Sequence, residues 1–321
     1  MELVKVTEVG FGAATLRVRE GLRKGDLPFV PKWDELRQLD LRQLEEVALC
    51  VEMDLPCLLV GPTGCGKTTG IELLGALVNQ PVRRMNLNGD VRSSSFLGEK
   101  VLDVDPVSGQ AVTRWKDGLL PDAMRKGHWV VLDEFDGCPA SLGMVVQSVL
   151  EPGHQLTLAD NHGEVVDPDP FFRIFATANT LGRGDDSGLY EGTNVMNEAT
   201  LDRFTVIECA YLSPADEAAL LVMKAGVTLG AAQGMARVAE MVREGFTKGE
   251  CSCTLSTRRL LTWATMARRF SEESSTLSVH ATVDPVGRGY ELAVGSKLSK
   301  EDRKYLAGIV QRVMGVVVRK G

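Results

Sequence analysis

The sequence holds no apolar run close to the roughly 18 residues that a membrane-crossing helix needs. Its first residues show no basic stretch followed by an apolar one, so no secretory leader is expected. Both absences lead us to expect a cytoplasmic protein with no membrane partner. A disulfide framework is missing too. The seven cysteines are scattered, odd in number and without regular spacing, which points to reduced thiols. Only Cys251-Ser252-Cys253 resembles a metal or redox pair, and no nearby His or second Cys pair completes it. There is no excess of basic residues. The formal net charge is −7, so bulk charge does not favour nucleic acid, and only a local basic patch would serve it. No low-complexity segment or internal repeat is present. What remains is ordinary for a globular chain, 44% hydrophobic and 25% charged, and its 321 residues suffice for two domains.

One stretch organises the rest. Gly61–Thr68 reads GPTGCGKT and fits the spacing Gly-x-x-x-x-Gly-Lys-Ser/Thr. The apolar run Cys57–Val60 before it predicts a buried parallel strand. Lys67 to Val78 after it predicts a helix, with Ile71, Leu74, Leu77 and Val78 at helical spacing. In that setting Gly61, Gly64 and Gly66 let backbone N–H groups curl around phosphate oxygens. The helix N-terminus adds partial positive charge. Lys67 can reach the β- and γ-phosphates, and the Thr68 hydroxyl can hold Mg²⁺. The expected nucleotide cradle is Gly61, Pro62, Thr63, Gly64, Cys65, Gly66, Lys67, Thr68 and Thr69.

Residues 1–35 form an N-terminal extension, with a short strand expected near Thr15–Arg19. The segment Leu27–Trp33, stiffened by two prolines, is expected to lie against the main domain and to border the adenine. Asp40 can cap a helix whose buried face is Leu41, Leu44, Ala48 and Val51. A second strand is predicted at Val82–Leu87, and a short helix at Ser93–Gly98. Alternating runs around Pro106–Gly109 predict a β-hairpin at about 101–115. A helix near Pro121–Lys126 leads back to the sheet.

Trp129–Glu134 is an apolar run ending in two acids, at the strand edge where ligands sit in open α/β sheets. Downstream of the Gly-rich loop, this places Asp133 in the Mg²⁺ shell and lets Glu134 polarise an attacking water. Ser141–Leu150 is amphipathic and helical, and a second hairpin is predicted at 155–167. The strand Phe172–Asn179 ends in an amide. Asn179 can orient water against a γ-phosphate, or merely open a turn. Gly182–Asn194 reads as a loop, Asn197–Phe204 as a helix, and Thr205–Cys209 as the fifth strand. The expected fold is an αβα sandwich on a five-stranded parallel sheet, spanning 36–210, with two hairpin inserts. A small helical lid is expected over 211–321, with helices near 214–226, 231–245, 257–270 and 300–318.

Together these motifs resemble the P-loop AAA+ ATPases of the MoxR group, and most of all the ATPase subunits of aerobic cobaltochelatases. The likeness covers about residues 55–310. It rests on GPTGCGKTTGIE at 61–72, Asn86-Leu87-Asn88, Lys116–Pro121, Leu132–Asp136 and Phe175–Thr180. It continues through Gly188–Thr193, Leu201-Asp202-Arg203-Phe204 and Ser256-Thr257-Arg258. The resemblance implies that Asn179 is sensor 1. Arg203 would be an arginine finger acting on a neighbour's nucleotide, and Arg258 would be sensor 2. Thr257 stands where the family usually has Pro, and Arg259 follows, so either arginine can face the nucleotide. The hairpins would be the helix-2 insert and the presensor-1 hairpin. The family also implies ATP with Mg²⁺, a homo-oligomeric ring of six, and a von Willebrand factor A domain partner resembling CobT. Residues 1–35 do not match the family pattern.

Three functions compete at this point. One is a ring ATPase that remodels a partner complex, with metal chelation as a specific case. Another is a nucleic-acid motor, which the acidic hairpin residues Asp103, Asp105, Glu164 and Asp167 disfavour. The third is a binding switch that scarcely turns over, which has no use for Glu134, Asn179 and Arg203 together.

Overall fold

The computed structural model describes residues 8–32, 43–87, 91–107, 109–180, 197–276 and 284–319. They group into two compact units. One holds most of the chain up to Cys209; the other is Ala210–Gly321 together with the loop residues Pro62–Gly66.

The first unit opens with an antiparallel pair, β1 (Glu8–Phe11) and β2 (Ala14–Arg17). A 3-10 turn at Leu27–Phe29 comes next, and Phe29 lies beneath the Arg83 guanidinium, 4.8 Å from its ring centre. Helix α1 (Leu44–Glu52) buries Leu44, Ala48 and Val51 as expected; Asp40, Leu41 and Trp33 lie outside the described residues. Strand β3 (Cys57–Val60) is wholly buried and leads through the Gly-rich loop into α2 (Lys67–Leu77). Next come β4 (Val82–Asn86) and the one-turn helix Ser93–Phe96. The first hairpin is longer than its alternation implied: β5 (Gly98–Val104) pairs with β6 (Ala111–Asp117) along its whole length. Helix α3 (Leu119–Lys126), β7 (Trp129–Asp133) and α4 (Ala140–Leu150) succeed it. The second hairpin joins β8 (Leu156–Leu158) to β9 (Glu164–Val166), and β10 (Arg173–Ala178) and β11 (Thr205–Glu208) complete the unit.

Five of these strands form one parallel sheet in the order β11-β3-β10-β7-β4. Both of its faces are covered, which is why β3 and β7 read as unbroken apolar runs. Leu58, Val130, Leu132, Ile174 and Ala176 pack against Leu120, Val146 and Val149. The order sets the C-terminal ends of β3, β10 and β7 side by side, and the chemistry collects there. The expected helix Asn197–Phe204 is a single turn, Glu198–Leu201, capped by Asn197. It stops early because Phe204 turns into the core against Phe135, with ring centres 5.5 Å apart.

The second unit is helical: α5 (Pro214–Ala225), α6 (Leu229–Thr247), α7 (Thr257–Thr276), α8 (Pro285–Ala293) and α9 (Lys300–Met314). Helix α8 was not expected from the sequence. It packs closely on α7, because a Cβ on Gly289 would meet the Ala267 nitrogen at 2.9 Å. Trp263 and Tyr290 meet edge to face at 5.3 Å in this core, and the Trp263 indole donates to the Val286 carbonyl at 2.8 Å. Helix α9 ends four residues before the expected Val318, where Gly315 takes a left-handed conformation, φ 69°. Among the described residues, no helix is long and apolar enough to cross a membrane.

Candidate active site

The Gly-rich loop bends through Gly64 at φ 75° and Gly66 at φ 107°, conformations strained for any side chain. Its base is stitched to the sheet: the Gly61 N–H donates to the Ala178 carbonyl at 3.2 Å. Inside the loop, the Cys65 N–H reaches the Pro62 carbonyl at 3.3 Å. The Tyr211 hydroxyl donates to the Thr63 carbonyl at 3.0 Å. Thr69 sits half-buried on the first turn of α2.

Lys67 is buried, and its ammonium donates to the Gly61 carbonyl at 2.6 Å and to Asn179 Oδ1 at 3.1 Å. The first residue of the helix and the residue just beyond β10 thus meet at one point. Asn179 is held from behind, since its N–H donates to Asp136 Oδ2 at 2.9 Å. Asp136 is buried, and it also accepts from the Thr180 N–H at 3.3 Å. This carboxylate fixes the amide's place rather than facing a ligand.

Asp133 is the most heavily bonded group of the site. Its Oδ1 accepts from the Thr68 hydroxyl at 2.7 Å and from the Thr177 hydroxyl at 2.9 Å. Its Oδ2 accepts from Arg84 Nε at 2.9 Å and Nη2 at 2.5 Å. Arg84 also donates to Glu72 Oε1 at 3.2 Å. Burial alone would lower the Arg84 pKa, but the bonds and charge of Asp133 and Glu72 outweigh it and raise it. Burial pushes the Glu72 carboxyl up, against the pull of Arg84. Glu134 is exposed and sits at φ 57°, a left-handed conformation costly for a non-glycine residue. Its N–H points to the Thr177 hydroxyl at 3.4 Å.

The geometry therefore gathers Lys67, Thr68, Asp133 and Asn179 from separated stretches of sequence. Thr68 and Asp133 present converging hydroxyl and carboxylate oxygens, a donor set suited to a hard divalent cation such as Mg²⁺. Arg203 does not join this cluster. Its Nε donates to Glu151 Oε1 at 2.6 Å, and its Nη1 to the Ala199 carbonyl. Arg258 is exposed on the first turn of α7, whereas Arg259 Nη1 donates to the Thr254 carbonyl at 3.4 Å. Within this second unit a Cβ on Gly64 would stand 3.4 Å from Arg258 Cβ. The Thr257 hydroxyl donates to the buried Glu217 at 2.5 Å. Asn88 and the Gly188–Thr193 loop lie outside the described residues.

The sequence reading missed Arg84, Thr177 and Asp136. Only Asp136 carried a local signal, as a further acid two residues after Glu134. The Cys251-Ser252-Cys253 turn gains a third donor in space, Asp302, with all three ligand atoms within 4.8 Å of one another. That carboxylate is already engaged by the Ser252 N–H at 2.8 Å and the Ser252 and Ser299 hydroxyls at 2.6 and 3.0 Å. Burial pushes the Cys253 thiol up to about 12 and raises Cys251 as well, so both stay protonated near neutral pH.

Two family descriptions match the chain: an AAA domain of the dynein-related subfamily over residues 56–204, and the CbbQ/NirQ/NorQ C-terminal region over residues 217–292. The chain is 32% identical to the aerobic cobaltochelatase subunit CobS of a Sinorhizobium species, across 99% of this chain and 92% of that protein, so the match extends into residues 1–35, contrary to the expectation that they fall outside it. It is also 32% identical to Giardia intestinalis midasin, over 55% of this chain and 3% of that much longer protein. An uncharacterized protein of Staphylococcus haemolyticus is 37% identical over 48% of this chain and 55% of its own length. Among solved structures, a putative ATPase from Cytophaga hutchinsonii aligns with a TM-score of 0.43 at 15% identity, over 90% of this chain and 92% of that one. The strand–loop–helix cradle, the paired acids at the end of β7 and the near full-length match to CobS lead to one assignment: the chain belongs to the MoxR-type AAA+ ATPases, close to CobS.

Proposed function

We propose that this ATPase works as one member of a closed ring, in which each nucleotide is cut with the help of an arginine from the adjoining copy. The observation that carries this reading is the position of Arg203. It lies in the same unit as Lys67 and Asp133, yet its bonds run to Glu151 and the Ala199 carbonyl rather than to them. An arginine that stays away from its own chain's cluster is available to a neighbour's, and head-to-tail contacts that close make a ring. Six members is the number the family implies.

The geometry supports each remaining role in this reading. Lys67, satisfied by one carbonyl and one amide, exchanges them for β- and γ-phosphate oxygens of ATP. Thr68 and Asp133 would hold Mg²⁺, which supplies charge neutralisation across those phosphates when bound. Glu134 accepts the proton of the attacking water, and Asn179, steadied by Asp136, orients that water. Arg258, more exposed than Arg259, is the lid arginine. By likeness to CobS we further propose a cytoplasmic setting, a von Willebrand factor A domain partner, and a part in driving metal into a corrin-type ring. The acidic charge balance and the family assignment lend no support to a nucleic-acid motor.

Mixing two defective chains tests the ring reading. Arg203→Ala should keep ATP affinity and lose turnover about a thousandfold. Lys67→Ala should lose nucleotide binding while still offering Arg203. Combined, the two should recover measurable ATP hydrolysis, because an intact cradle then meets an intact finger. Failure of every mixing ratio to raise the rate would refute an arginine supplied in trans. A Glu134→Gln chain loaded with ATP should retain a von Willebrand factor A protein from cell extract; retention of a replication factor instead would redirect the reading.

A further inference from the structure

We propose that Arg84 is a positioning residue with a second duty: it is a built-in countercation that keeps the nucleotide-free site from filling with a divalent ion. The inference rests on the reading of Thr68 and Asp133 as the holders of the nucleotide's metal. It begins with strand register. In the parallel pair β4–β7, Asn86 lies opposite Asp133, which sets Arg84 two residues back on the neighbouring strand. From there the guanidinium makes both contacts to Asp133 Oδ2 and reaches the Glu72 carboxylate at 3.2 Å.

That placement acts on geometry and on charge. Both bonds from one planar guanidinium converge on Oδ2 and hold that oxygen on the β4 side, leaving Oδ1 to the Thr68 and Thr177 hydroxyls. Oδ1 is then turned toward the Thr68 hydroxyl, 2.7 Å away. Arg84 stands between Glu72 and Asp133, 3.2 Å from one carboxylate and 2.5 Å from the other. The triad carries a net charge of about −1 with Arg84 and about −2 without it. The Asp133 carboxylate and the Thr68 hydroxyl, with the Glu72 charge behind them and no cation between, are a setting that attracts a hard divalent ion. With Arg84 in place, the lone site is too weakly anionic to retain one. The triphosphate brings the missing negative charge, so metal and nucleotide arrive, and leave, together.

Mn²⁺ is the probe, because the free aquo ion gives an electron paramagnetic resonance signal that bound ion loses. It is titrated into nucleotide-free wild type, Arg84→Gln, Arg84→Lys and the double variant Arg84→Gln/Glu72→Gln, each checked for fold by circular dichroism. Arg84→Gln should bind Mn²⁺ at least about tenfold more tightly than wild type. Arg84→Lys, which keeps the charge and loses the fork, should bind Mn²⁺ about as weakly as wild type. The double variant should lose most of the gain. Equal Mn²⁺ affinity in wild type and Arg84→Gln overturns the countercation. Should Arg84→Gln fail to fold, Arg84→Met decides: tighter binding than wild type supports the assignment, and equal binding ends it. A parallel titration of wild type with Mn²⁺ and ATP separates the two readings. No joint binding there sinks the nucleotide site itself; normal joint binding with no gain in the variants sinks only the role of Arg84.

Discussion

In the α/β unit, Lys67 and Asp133 are buried near the C-terminal ends of strands, and beyond the Arg84 fork on Asp133 their partners include hydroxyls, an amide and a carbonyl. In the helical unit the buried carboxylate Glu217 is closed on itself. Arg243 grips it with a fork, at 2.8 and 3.0 Å, and Thr257 adds a third bond at 2.5 Å. The Tyr211 ring then covers the guanidinium at 3.8 Å. The first arrangement can trade its partners for those of a ligand at little cost. The second cannot, because each charge there is matched and roofed. In the proposed reading, buried charge in one unit serves binding, and in the other it is a fastener.

The sharpest way to break this contrast is Glu217→Ala. It strands Arg243 in the helical core, and about 3–5 kcal/mol of stability should vanish. Urea unfolding of the full chain would read the loss; a change within experimental error would show that the pair fastens nothing. On the other side, Glu134→Gly should abolish ATP turnover and yet raise stability by about 1 kcal/mol, because glycine relieves the left-handed backbone. A stability equal to or below wild type would mean that no strain is stored at that residue. The smallest effect belongs to the opposite, N-terminal ends of the strands. There His154 Nε2 lies 3.3 Å from Asp54, which also meets Arg173 at 3.0 Å. The bond from His154 holds Asp54 below the usual carboxylate range. Burial would depress His154, but Asp54 and the Val149 carbonyl outweigh it and raise its pKa.

The signs of those two shifts define a window. The Asp54 contribution is present above the ordinary carboxyl value and fades as pH falls through its depressed one. The His154 contribution is full below the ordinary histidine value, about 6.5, and is lost as pH rises through the elevated one. Wild type should therefore exceed His154→Gln most between about pH 4.5 and 6. Because Asp54 is half exposed, the gap should be only about 0.5 kcal/mol. Thermal melts across pH would check it, and a gap that widens above pH 8 would reverse the assignment.

Much of the α/β unit was legible because its strands are buried on both faces and so spell themselves as apolar runs, as Cys57–Val60 and Trp129–Leu132 do. Lys67 and Thr68 were legible because phosphate binding constrains eight consecutive residues at once. Arg84 was not. Its importance depends on β4 lying next to β7 rather than next to β3, and no local spacing encodes that neighbour. Helix α8 was hidden for another reason. Gly287 and Gly289 weaken its helical pattern, and Gly289 is there so that two helices can approach. The one-turn helix after Asn197 was overread because the sequence does not announce that Phe204 prefers the core to a further turn.

The residues ahead of the sheet also have a practical bearing. The Arg19 guanidinium covers the carbonyls of Lys126 and Gly127, where α3 ends, and its own N–H ties to Val78. Asp26 stands 3.1 Å from the enclosed His128 imidazole. A shortened protein starting at residue 36 would unplug the end of that helix and open a buried ring to water. Anyone trimming this polypeptide for crystals or assays should keep residues 8–32, which are masonry rather than scaffolding.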